Sequence, residues 1–554
     1  MRTLAFALLL ALAPAVASRA ETGQNGMIAA EHRLAAEAGL RILQRGGNAV
    51  DAAVATALAV GVVNPTSCGI GGGGFMMVFD HAARRVSALD YREAAPAAAR
   101  RDMFVRDGKA VPELSLRGGL AVAVPGEVAG LFAVLTRYGT MAFATVAESA
   151  VAYARDGFAV EPHLAEGIAR FADTIRQQPA LAAILLHSDG TPLQSGETLR
   201  QPALADTLER IAHDGERAFY SGPVAAAIVD SVRASGGVMT RHDLASYRAK
   251  WRTPLEAEFR GYDVYGMPPP SGGGAGLITA LNMMRADDLS ALEHNSPTYL
   301  HLLAESLQFA FADRATYYGD PDFVRIPVQA LLSPQRGRTL RHRMSAATTF
   351  SPSYYGDHTL GDDAGTSHVS VVDRAGNAVA CTTSINTTFG SMLVAGDTGI
   401  ILNDTMDDFS TQPGTPNVFG LIGSEANSIA PGKRPLSSMT PTIVTRRGQV
   451  VAVAGGSGGP FITTGTLQVL LNVLAFGQDA QAAVAAPRIH DQWIPPYLMV
   501  ESGIGPNERW ALHRLGHQDV DTPGGGAIGL VVRGADGRLD GAADPRKGGA
   551  ARGW

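Results

Sequence analysis

The stretch Asp362-Asp363-Ala364-Gly365-Thr366-Ser367-His368-Val369-Ser370-Val371-Val372 joins two unlike parts of the sequence. Its first four residues are acidic or small and are typical of a turn. From Thr366 onward polar and apolar residues alternate, which is the pattern of a β-strand with two different faces. A strand that begins this abruptly looks like the start of a new chain. We therefore predict that the Gly365–Thr366 bond is cut by the protein itself and that the Thr366 hydroxyl becomes a nucleophile.

Residues 366–386 predict a β-hairpin whose turn is centred near Ala375. In an antiparallel pair around that turn, the numbers of paired residues sum to about 750, so Ser384 is expected opposite Thr366. Two facing hydroxyls at the open end of a hairpin suit proton transfer, and Asn386 follows with an amide that can hold an acyl group. Taken alone, an ordinary hairpin stays an open alternative, because Thr and Ser are common in hairpins.

Several short segments after the predicted cut carry a resemblance to a known family: Thr366-Ser367-His368, Ser384-Ile385-Asn386-Thr387-Thr388-Phe389-Gly390, Met406-Asp407-Asp408-Phe409, Pro435-Leu436-Ser437-Ser438-Met439 and Gly458-Gly459. Their order and spacing are similar to those of the gamma-glutamyltransferase family, and the likeness extends from about Met27 to about Arg546. Such a series is far more specific than a single motif. The resemblance implies an α+β fold, namely a four-layer αββα sandwich of the N-terminal nucleophile hydrolase type, formed as one large layered domain by two autoprocessed chains.

The size and composition of the chain limit its class. At 554 residues, either two domains or one large layered domain with additions is expected. A hydrophobic content of 46% with 18% charged residues is ordinary for a soluble globular protein. The net charge of −6 gives no electrostatic basis for binding nucleic acid.

The N-terminus has the parts of a secretory signal peptide. Arg2 precedes an apolar run from Leu4 to Val16, and Ala15-Val16-Ala17 or Ser18-Arg19-Ala20 offers a small-x-small cleavage site. The run is too short to span a membrane, and no later segment reaches about 18 uninterrupted apolar residues. We expect a periplasmic or secreted protein with no membrane span. The predicted organisation is a signal peptide at 1–20, a large subunit at 21–365 and a small subunit at 366–554.

The sequence predicts neither a cofactor nor a metal site. Cys68 and Cys381 are flanked by apolar residues, so two inert core thiols are the favoured interpretation, and a disulfide between them stays open. No Cys/His set has the spacing of a zinc site. The glycine run 69–74 lacks the Gly-Lys-Ser/Thr signature of a phosphate-binding loop and precedes a strand-like segment instead of a helix.

Helical patterns in the first part of the chain are interpreted as scaffold. Two helices broken at Gly46-Gly47 are predicted between Glu31 and Val62, with Asn48 as the cap of the second. Helices also dominate from Pro125 to about Tyr247, where Thr240-Arg241-His242-Asp243 has the spacing of an N-terminal cap.

The predicted cut would create the catalyst. An internal threonine hydroxyl is a poor nucleophile, but cleavage gives Thr366 an α-amine whose pKa, about 7.7–8.0 in short peptides, makes it a usable base at neutral pH. Gly365 helps, because without a Cβ it lets the scissile bond be strained and attacked by the Thr366 hydroxyl. The expected route is an N-to-O acyl shift followed by hydrolysis of the ester.

The resemblance implies the parts of a γ-glutamyl site. Arg92, Ser437 and Ser438 would bind the α-carboxylate of the substrate, and Asp408 would hold its α-ammonium. The backbone N–H groups of Gly458-Gly459 correspond to the family's oxyanion hole. Taken one at a time, each has an ordinary alternative. Arg92 could belong to a solvated ion pair, the two serines could be loop hydroxyls, Asp408 could be a turn cap, and the two glycines could form a hairpin turn.

Three positions depart from the family pattern. Ser384 stands where the family often has Thr. Thr405 stands where bacterial members often carry Gln, so one substrate-ammonium contact is expected to be weaker. Phe419 lies in a lid-like segment, Pro413 to Ser424, at a position where bacterial relatives often have Tyr. Without the hydroxyl Phe419 cannot bond Asn386, so we predict less complete exclusion of water and a higher share of hydrolysis over transpeptidation.

The resemblance therefore implies a gamma-glutamyltransferase and glutathione hydrolase. Thr366 would take the γ-glutamyl group from glutathione or a similar γ-glutamyl compound and pass it to water, an amino acid or a dipeptide. A cephalosporin or glutaryl acylase is one alternative, because it shares the fold and the nucleophile. It needs no ammonium site, so Asp408 and the Ser437-Ser438 pair argue against it. An unprocessed periplasmic binding protein is the other alternative, and its chain would stay in one piece.

Overall fold

The structure is a computed structural model, and it describes residues 21–356 and 366–554. The predicted signal peptide and Gly365, the residue before the predicted cut, lie outside the described residues. Within these two ranges, none of the helices has both the length and the apolar character needed to cross a bilayer.

Two large antiparallel sheets form the centre of the molecule. Numbered in chain order, the strands are β1 Glu21–Gly23, β2 Gly26–Ala30, β3 Gly73–Asp80, β4 Arg85–Tyr91, β5 Val105–Arg106, β6 Lys109–Ala110, β7 Phe158–Ala159, β8 Thr198–Leu199, β9 Lys250–Arg252, β10 Leu255–Phe259, β11 Tyr262–Gly266, β12 Ser367–Asp373, β13 Ala378–Ser384, β14 Thr442–Arg446, β15 Gln449–Ser457, β16 Ile489–His490, β17 Leu498–Glu501, β18 Asp519–Thr522, β19 Ala527–Arg533, β20 Leu539–Ala543 and β21 Ala550–Gly553. The strands β5 to β8 and β16 to β18 pair in three small separate sheets.

Helices cover the outer faces of these sheets and fill the segments between strands. They are α1 Arg33–Gln44, α2 Ala49–Val63, α3 Glu113–Leu116, α4 Glu127–Tyr138, α5 Phe143–Asp156, α6 Pro162–Arg170, α7 Ala172–Arg176, α8 Pro179–Leu185, α9 Pro202–Asp214, α10 Arg217–Tyr220, α11 Pro223–Ala234, α12 Arg241–Ser246, α13 Gly273–Met284, α14 Pro297–Tyr317, α15 Val328–Leu331, α16 Pro334–Arg343, α17 Pro352–Tyr355, α18 Phe461–Leu474, α19 Ala480–Ala485 and α20 Pro506–Arg514. Short 3-10 turns lie at Gly119–Ala121, Leu289–Ala291, Thr405–Asp408 and Glu425–Asn427.

The two large sheets interleave strands from before and after Thr366. One sheet has the strand order β21-β2-β12-β13-β3-β4-β9, and the other has the order β1-β20-β19-β15-β14-β11-β10. In the first sheet β12 and β13 lie between β2 and β3. In the second sheet β20, β19, β15 and β14 lie between β1 and β11. Both sheets therefore need both parts of the chain.

Apolar contacts stack the sheets and helices into four layers. Residues such as Met27, Phe75, Ile443 and Val531 fill the space between the two sheets. On its outer face the first sheet shares a core with α1, α2, α4 and α5, and the second sheet shares one with α13, α14 and α18. Because helices cover both outer faces of a sheet pair, the predicted αββα sandwich is confirmed, and it forms one large layered domain instead of two separate ones.

Local signals placed the first helices correctly. The structure confirms the break at Gly46-Gly47 and the capping role of Asn48, whose side chain accepts N–H groups of Val50 and Asp51. A Cβ at Gly39 of α1 would lie 2.2 Å from the Thr56 hydroxyl oxygen of α2, so a glycine there lets the two helices pack closely.

The hairpin after the predicted cut has the predicted register. Ser367 pairs with Thr383, so Thr366 and Ser384 are opposite each other at its open end. The turn contains Gly376 with a φ of 88°, a left-handed conformation that glycine adopts without steric cost. Alternating side chains and a recognisable turn were enough to fix this pairing.

Candidate active site

The predicted site residues meet at one edge of the two sheets. β13 ends there at Ser384, β4 ends one residue before Arg92, and β12 begins one residue after Thr366. Antiparallel pairing of these neighbouring strands brings the three points to the same side. The edge encloses a cavity of about 20 Å³, which is space for about one water molecule. Nine predicted residues line it: Arg92, Thr366, Ser384, Asn386, Asp408, Phe419, Ser437, Ser438 and Gly459.

Thr366 and Ser384 face each other across the open end of the hairpin. Their hydroxyl oxygens are 3.4 Å apart, a long distance for a hydrogen bond between hydroxyls. Ser384 Oγ also accepts the Asn386 N–H at 2.7 Å. The Asn386 side-chain amide donates to the Asp404 carbonyl at 3.2 Å, so this side chain is held in one orientation. The structure thus brings the two hydroxyls and the amide together.

Arg92 and Asp408 form a buried ion pair in the same cavity. Their side chains are 1% and 9% exposed, and Arg92 also lies 3.5 Å from the Glu93 carboxylate. The Tyr247 hydroxyl donates to the Arg92 carbonyl at 2.7 Å and holds the backbone there. A cation and an anion that face each other in a cavity are complementary to a zwitterion, whose carboxylate and ammonium would each replace one partner.

Burial and neighbouring charges set the electrostatics of this ion pair. Removal from water raises the pKa of Asp408, and the guanidinium groups of Arg92 and Arg314 oppose that rise. Burial also raises the pKa of Glu93 and lowers the pKa of Arg314 to about 10. Arg314 Nε is buried, and no hydrogen-bond partner for it occurs within the described residues. Charges held this far from water are costly to fold, which is typical of a site shaped for a charged ligand.

The Ser437-Ser438 pair supplies hydroxyl donors beside the arginine. Ser438 Oγ is buried, and the part of the chain that the structure describes offers it no hydrogen-bond partner. Ser437 Oγ accepts the Met439 N–H at 3.1 Å, an arrangement that leaves its proton directed elsewhere. A buried hydroxyl without a partner destabilises the empty site. A substrate carboxylate would provide the missing acceptor.

Gly458 and Gly459 form the turn between β15 and α18. Their φ angles are 110° and 52°, and a Cβ at position 458 would lie 2.5 Å from the Gly526 Cα, so a side chain does not fit. The Gly458 carbonyl accepts the Phe461 N–H at 3.0 Å. Because a trans peptide directs its C=O and N–H oppositely, the Gly459 N–H points away from α18. Only Gly459 of the two lines the cavity.

Thr405 lies behind the cavity and does not line it. Its side chain is fully buried, and its hydroxyl donates to the Glu93 carboxylate at 2.8 Å. Thr405 is thus placed to act on Arg92 through Glu93. A direct contact of Thr405 with substrate stays a prediction.

The predicted lid covers the cavity. The Asn417 side-chain amide donates to Asp408 Oδ1 at 3.1 Å, and the Val418 N–H donates to the Asp407 carboxylate at 3.0 Å. Phe419 lines the cavity and is 4% exposed. Asn417 of the lid therefore takes one acceptor position of the carboxylate that an ammonium group would use.

Sequence reasoning missed three residues of this site. Glu93 follows Arg92 directly, and two opposite charges at a strand end were a usable signal. Arg314 lies near the end of α14, where a basic residue is normally interpreted as a surface charge. Asn417 lies in a turn-rich lid in which an amide has no distinctive spacing. The places of Arg314 and Asn417 in the site depend on tertiary structure.

One cluster of possible metal ligands was found within residues 21–356 and 366–554: His301, Glu305 and His517. The two imidazoles already contact each other, with His301 Nδ1 2.7 Å from His517 Nε2, and Glu305 accepts the Tyr355 hydroxyl at 2.7 Å. None of them lines the cavity of the predicted site. Cys68 and Cys381 are buried and unbridged, as favoured from the sequence.

Comparisons with known proteins identify the family of the chain. A sequence profile of the Gamma-glutamyltranspeptidase family matches residues 35–554. The chain is 41% identical over 526 residues to the Glutathione hydrolase proenzyme of Escherichia coli (strain K12), a match that covers 94% of this chain and 90% of that protein.

Two solved structures extend the likeness to three dimensions. Cephalosporin acylase from Bacillus halodurans superimposes with a TM-score of 0.86 at 28% identity and covers 100% of this chain and 99% of its own. Helicobacter pylori gamma-Glutamyltranspeptidase gives a TM-score of 0.57 at 38% identity and covers 59% of this chain and 93% of its own. The chain has the fold of the N-terminal nucleophile hydrolases, and it belongs to the gamma-glutamyltranspeptidase family.

Proposed function

We propose that this protein cuts its own chain between Gly365 and Thr366 and then uses Thr366 to take the γ-glutamyl group from glutathione and similar donors. The group passes to water, an amino acid or a dipeptide. The cut leaves a large subunit, 21–365, and a small subunit, 366–554. Both are needed, because Arg92 lies on one and Thr366 on the other. The apolar run after Arg2 supports export to the periplasm or the medium.

The buried Arg92–Asp408 pair is the observation that carries the proposal. A γ-glutamyl donor has an α-carboxylate and an α-ammonium on the same carbon, and this pair offers one opposite charge to each. The Ser438 hydroxyl, which finds no partner among residues 21–356 and 366–554, adds a donor for the carboxylate. A site for an uncharged or purely anionic acyl group would need no buried aspartate at this point.

The reaction follows from the positions of the cavity residues. Thr366 Oγ attacks the γ-carbonyl carbon, and its proton passes to the α-amine that the cut creates. Negative charge develops on the carbonyl oxygen, where the N–H of the cavity residue Gly459 would stabilise it, typically by about 3 kcal/mol for one donor. The Gly458 N–H is the second donor that the family resemblance implies. The amine returns the proton to the leaving nitrogen as the C–N bond breaks. Water or an acceptor amine then attacks the ester and restores the Thr366 hydroxyl.

An assay on a γ-glutamyl donor, combined with a denaturing gel, tests the proposal. The purified protein is assayed on γ-glutamyl-p-nitroanilide, run on a denaturing gel, and its smaller band is sequenced from the N-terminus. We expect two bands, a small subunit that begins Thr-Ser-His, and release of p-nitroaniline. Thr348→Ala, at an exposed threonine, serves as a matched control for Thr366→Ala. An uncut chain that hydrolyses the donor at full rate would contradict the proposal.

Cephalosporin or glutaryl acylase activity is the second candidate, because an acylase of that type shares the fold with a TM-score of 0.86. Its acyl group lacks the ammonium that Asp408 is placed to bind. The same preparation is therefore assayed on glutaryl-7-aminocephalosporanic acid. A preference for this substrate over the γ-glutamyl donor would favour the acylase. One uncut band without either activity would favour a binding protein.

A further inference from the structure

Lys547, near the C-terminus, contacts the backbone of the nucleophile. Its ammonium donates to the Thr366 carbonyl at 2.6 Å and to the Ser457 hydroxyl at 3.1 Å. It also lies 2.7 Å from the Glu31 carboxylate, with the Ser67 hydroxyl slightly farther away at 3.4 Å. The lysine side chain is 12% exposed. These contacts join the residue after β2, the loop before β3, the end of β15 and the predicted new N-terminus at one cation.

The residue type at this position fits its surroundings. The chain uses lysine at four positions among 46 basic residues, so a buried lysine here is not a matter of composition. An ammonium group directs three donors tetrahedrally from a single point, whereas a guanidinium is a planar fork. The acceptors around Lys547 come from different layers of the fold and suit the compact group.

Glu31 fixes this cation from the other side. Its carboxylate accepts the His368 N–H at 3.1 Å, two residues beyond Thr366, and Glu31 is 5% exposed. Burial raises the pKa of Glu31, and the Lys547 ammonium opposes that rise. Glu31 thus ties the start of β12 to the lysine that holds the Thr366 carbonyl.

We propose that Lys547 is a positioning residue for the nucleophile, which together with Glu31 holds the Thr366 carbonyl in place and sets the electrostatic field at the Thr366 α-amine. The second part rests on the proposed function, because that amine exists only after the cut. Lys547 is not among the residues that line the cavity, and its contact with a lining residue is to the backbone carbonyl of Thr366. It acts through the backbone of Thr366.

The sign of the field follows from geometry. The amine nitrogen and carbonyl oxygen of one residue are about 3 Å apart, so the Lys547 charge lies within about 6 Å of the amine. A cation at that distance disfavours the ammonium form and keeps the base neutral, and the Glu31 anion has the opposite effect. Arg92 and Asp408 face the amine from the cavity as a pair of opposite charges. His368 is fully buried, and its pKa is lowered to about 3, so it adds no charge.

Three variants of the full-length protein and one control variant test the proposal, with donor hydrolysis measured across pH. Lys547→Met should lower kcat about tenfold to 100-fold, as expected for a lost charged hydrogen bond, with KM unchanged within about twofold. The acid limb of its pH–rate profile should move to higher pH by about 0.5 to 1 unit, because the cation that disfavours the ammonium form of Thr366 is gone. Glu31→Gln should move the acid limb to lower pH by a similar amount. Lys547→Arg should restore part of kcat, and Lys109→Met, at an exposed lysine, should match the wild type.

The two opposite pH shifts distinguish a positioning role from a purely structural one. Loss of a purely structural residue would lower activity, but it would not move the acid limb of the pH–rate profile in a direction set by the charge removed. Equal kcat and equal acid limbs in Lys547→Met, Glu31→Gln and the wild type would overturn the proposal. If Lys547→Met does not fold, Glu31→Gln and Lys547→Arg decide the question on the same two measurements. If the wild type fails to hydrolyse γ-glutamyl donors, the proposed function fails first, and that result is distinct from an unchanged pH profile.

Discussion

The two halves of the cavity are built by different means. Thr366 and Ser384 meet through the register of a hairpin, carry neutral hydroxyls, and lie in the most regular part of the fold. Arg92 and Asp408 are oppositely charged. Arg92 directly follows the end of β4, and Asp408 lies in a 3-10 turn. The first half supplies reactivity, and the second supplies recognition. Cleavage and chemistry should therefore respond to changes in the first half, and donor selection to changes in the second.

Thr366→Ala should produce the largest effect. The variant lacks the hydroxyl that both attacks the substrate and opens its own chain, so we expect one uncut band and a loss of activity of about 10⁴-fold or more. The check is a denaturing gel combined with the γ-glutamyl-p-nitroanilide assay. Thr366→Ser, which keeps a hydroxyl, should still cut. Cleavage in the alanine variant would show that the hairpin is not the reactive half.

Asp408→Asn should separate recognition from reactivity. Removing a buried charge that meets the substrate ammonium should lower kcat/KM for a γ-glutamyl donor about 100-fold, while the chain still cuts itself. A glutaryl donor has no ammonium, so its kcat/KM should change by less than about fivefold. Asp397→Asn, at an exposed aspartate, is the matched control. Equal losses on both donors would mean that Asp408 does not distinguish them.

Glu127 tests the neutral character of the reactive half. It accepts the Thr383 hydroxyl at 2.6 Å next to Ser384, and burial raises its pKa to about 8. A carboxyl whose pKa is higher in the folded state stabilises the fold below its unfolded pKa and loses that contribution as pH rises towards 8. The melting temperature of the wild type should therefore fall relative to Glu127→Gln between pH 5 and pH 8, by about 2–4 °C. Parallel melting curves would indicate an ionised Glu127 throughout.

Phe419→Tyr should have the smallest effect, because it only adds a hydroxyl to the lid over both halves and removes no group from either. A hydroxyl at this position could bond Asn386 and exclude water better, which should raise the share of transpeptidation about twofold. The measurement is the product ratio with and without glycylglycine. Self-cleavage and KM for the donor should stay at wild-type values. An unchanged ratio would show that packing of Phe419 already closes the lid.

The sequence predicted what depends on neighbours in the chain. Alternation around Ala375 was enough to place Ser384 opposite Thr366, and a cap signal at Asn48 was enough to start α2, because both are set by local geometry. The sandwich and the roles of Arg92 and Asp408 came through the family resemblance. Those roles and the cut itself stay predictions.

Contacts between distant segments were beyond sequence reasoning. Lys547 meets the Thr366 carbonyl across 181 positions of the chain, and Arg314 of helix α14 is close enough to Asp408 to affect its pKa. Such contacts leave no periodic pattern in the sequence, because they are determined by how the layers of the fold stack. Thr405 illustrates the same limit, since its hydroxyl turned out to serve Glu93.

The alternation of early and late strands within both sheets has a consequence for the mature protein. A backbone cut after position 365 would not free two pieces, because strands of the large fragment flank a block of small-fragment strands in both sheets, and β2 of the large fragment lies between β21 and β12 of the small one. The fragments should migrate together on a native gel and part only when both sheets are dismantled. Once parted, they would have to find each other again as two molecules, so denaturation that a single chain could reverse would become dependent on concentration.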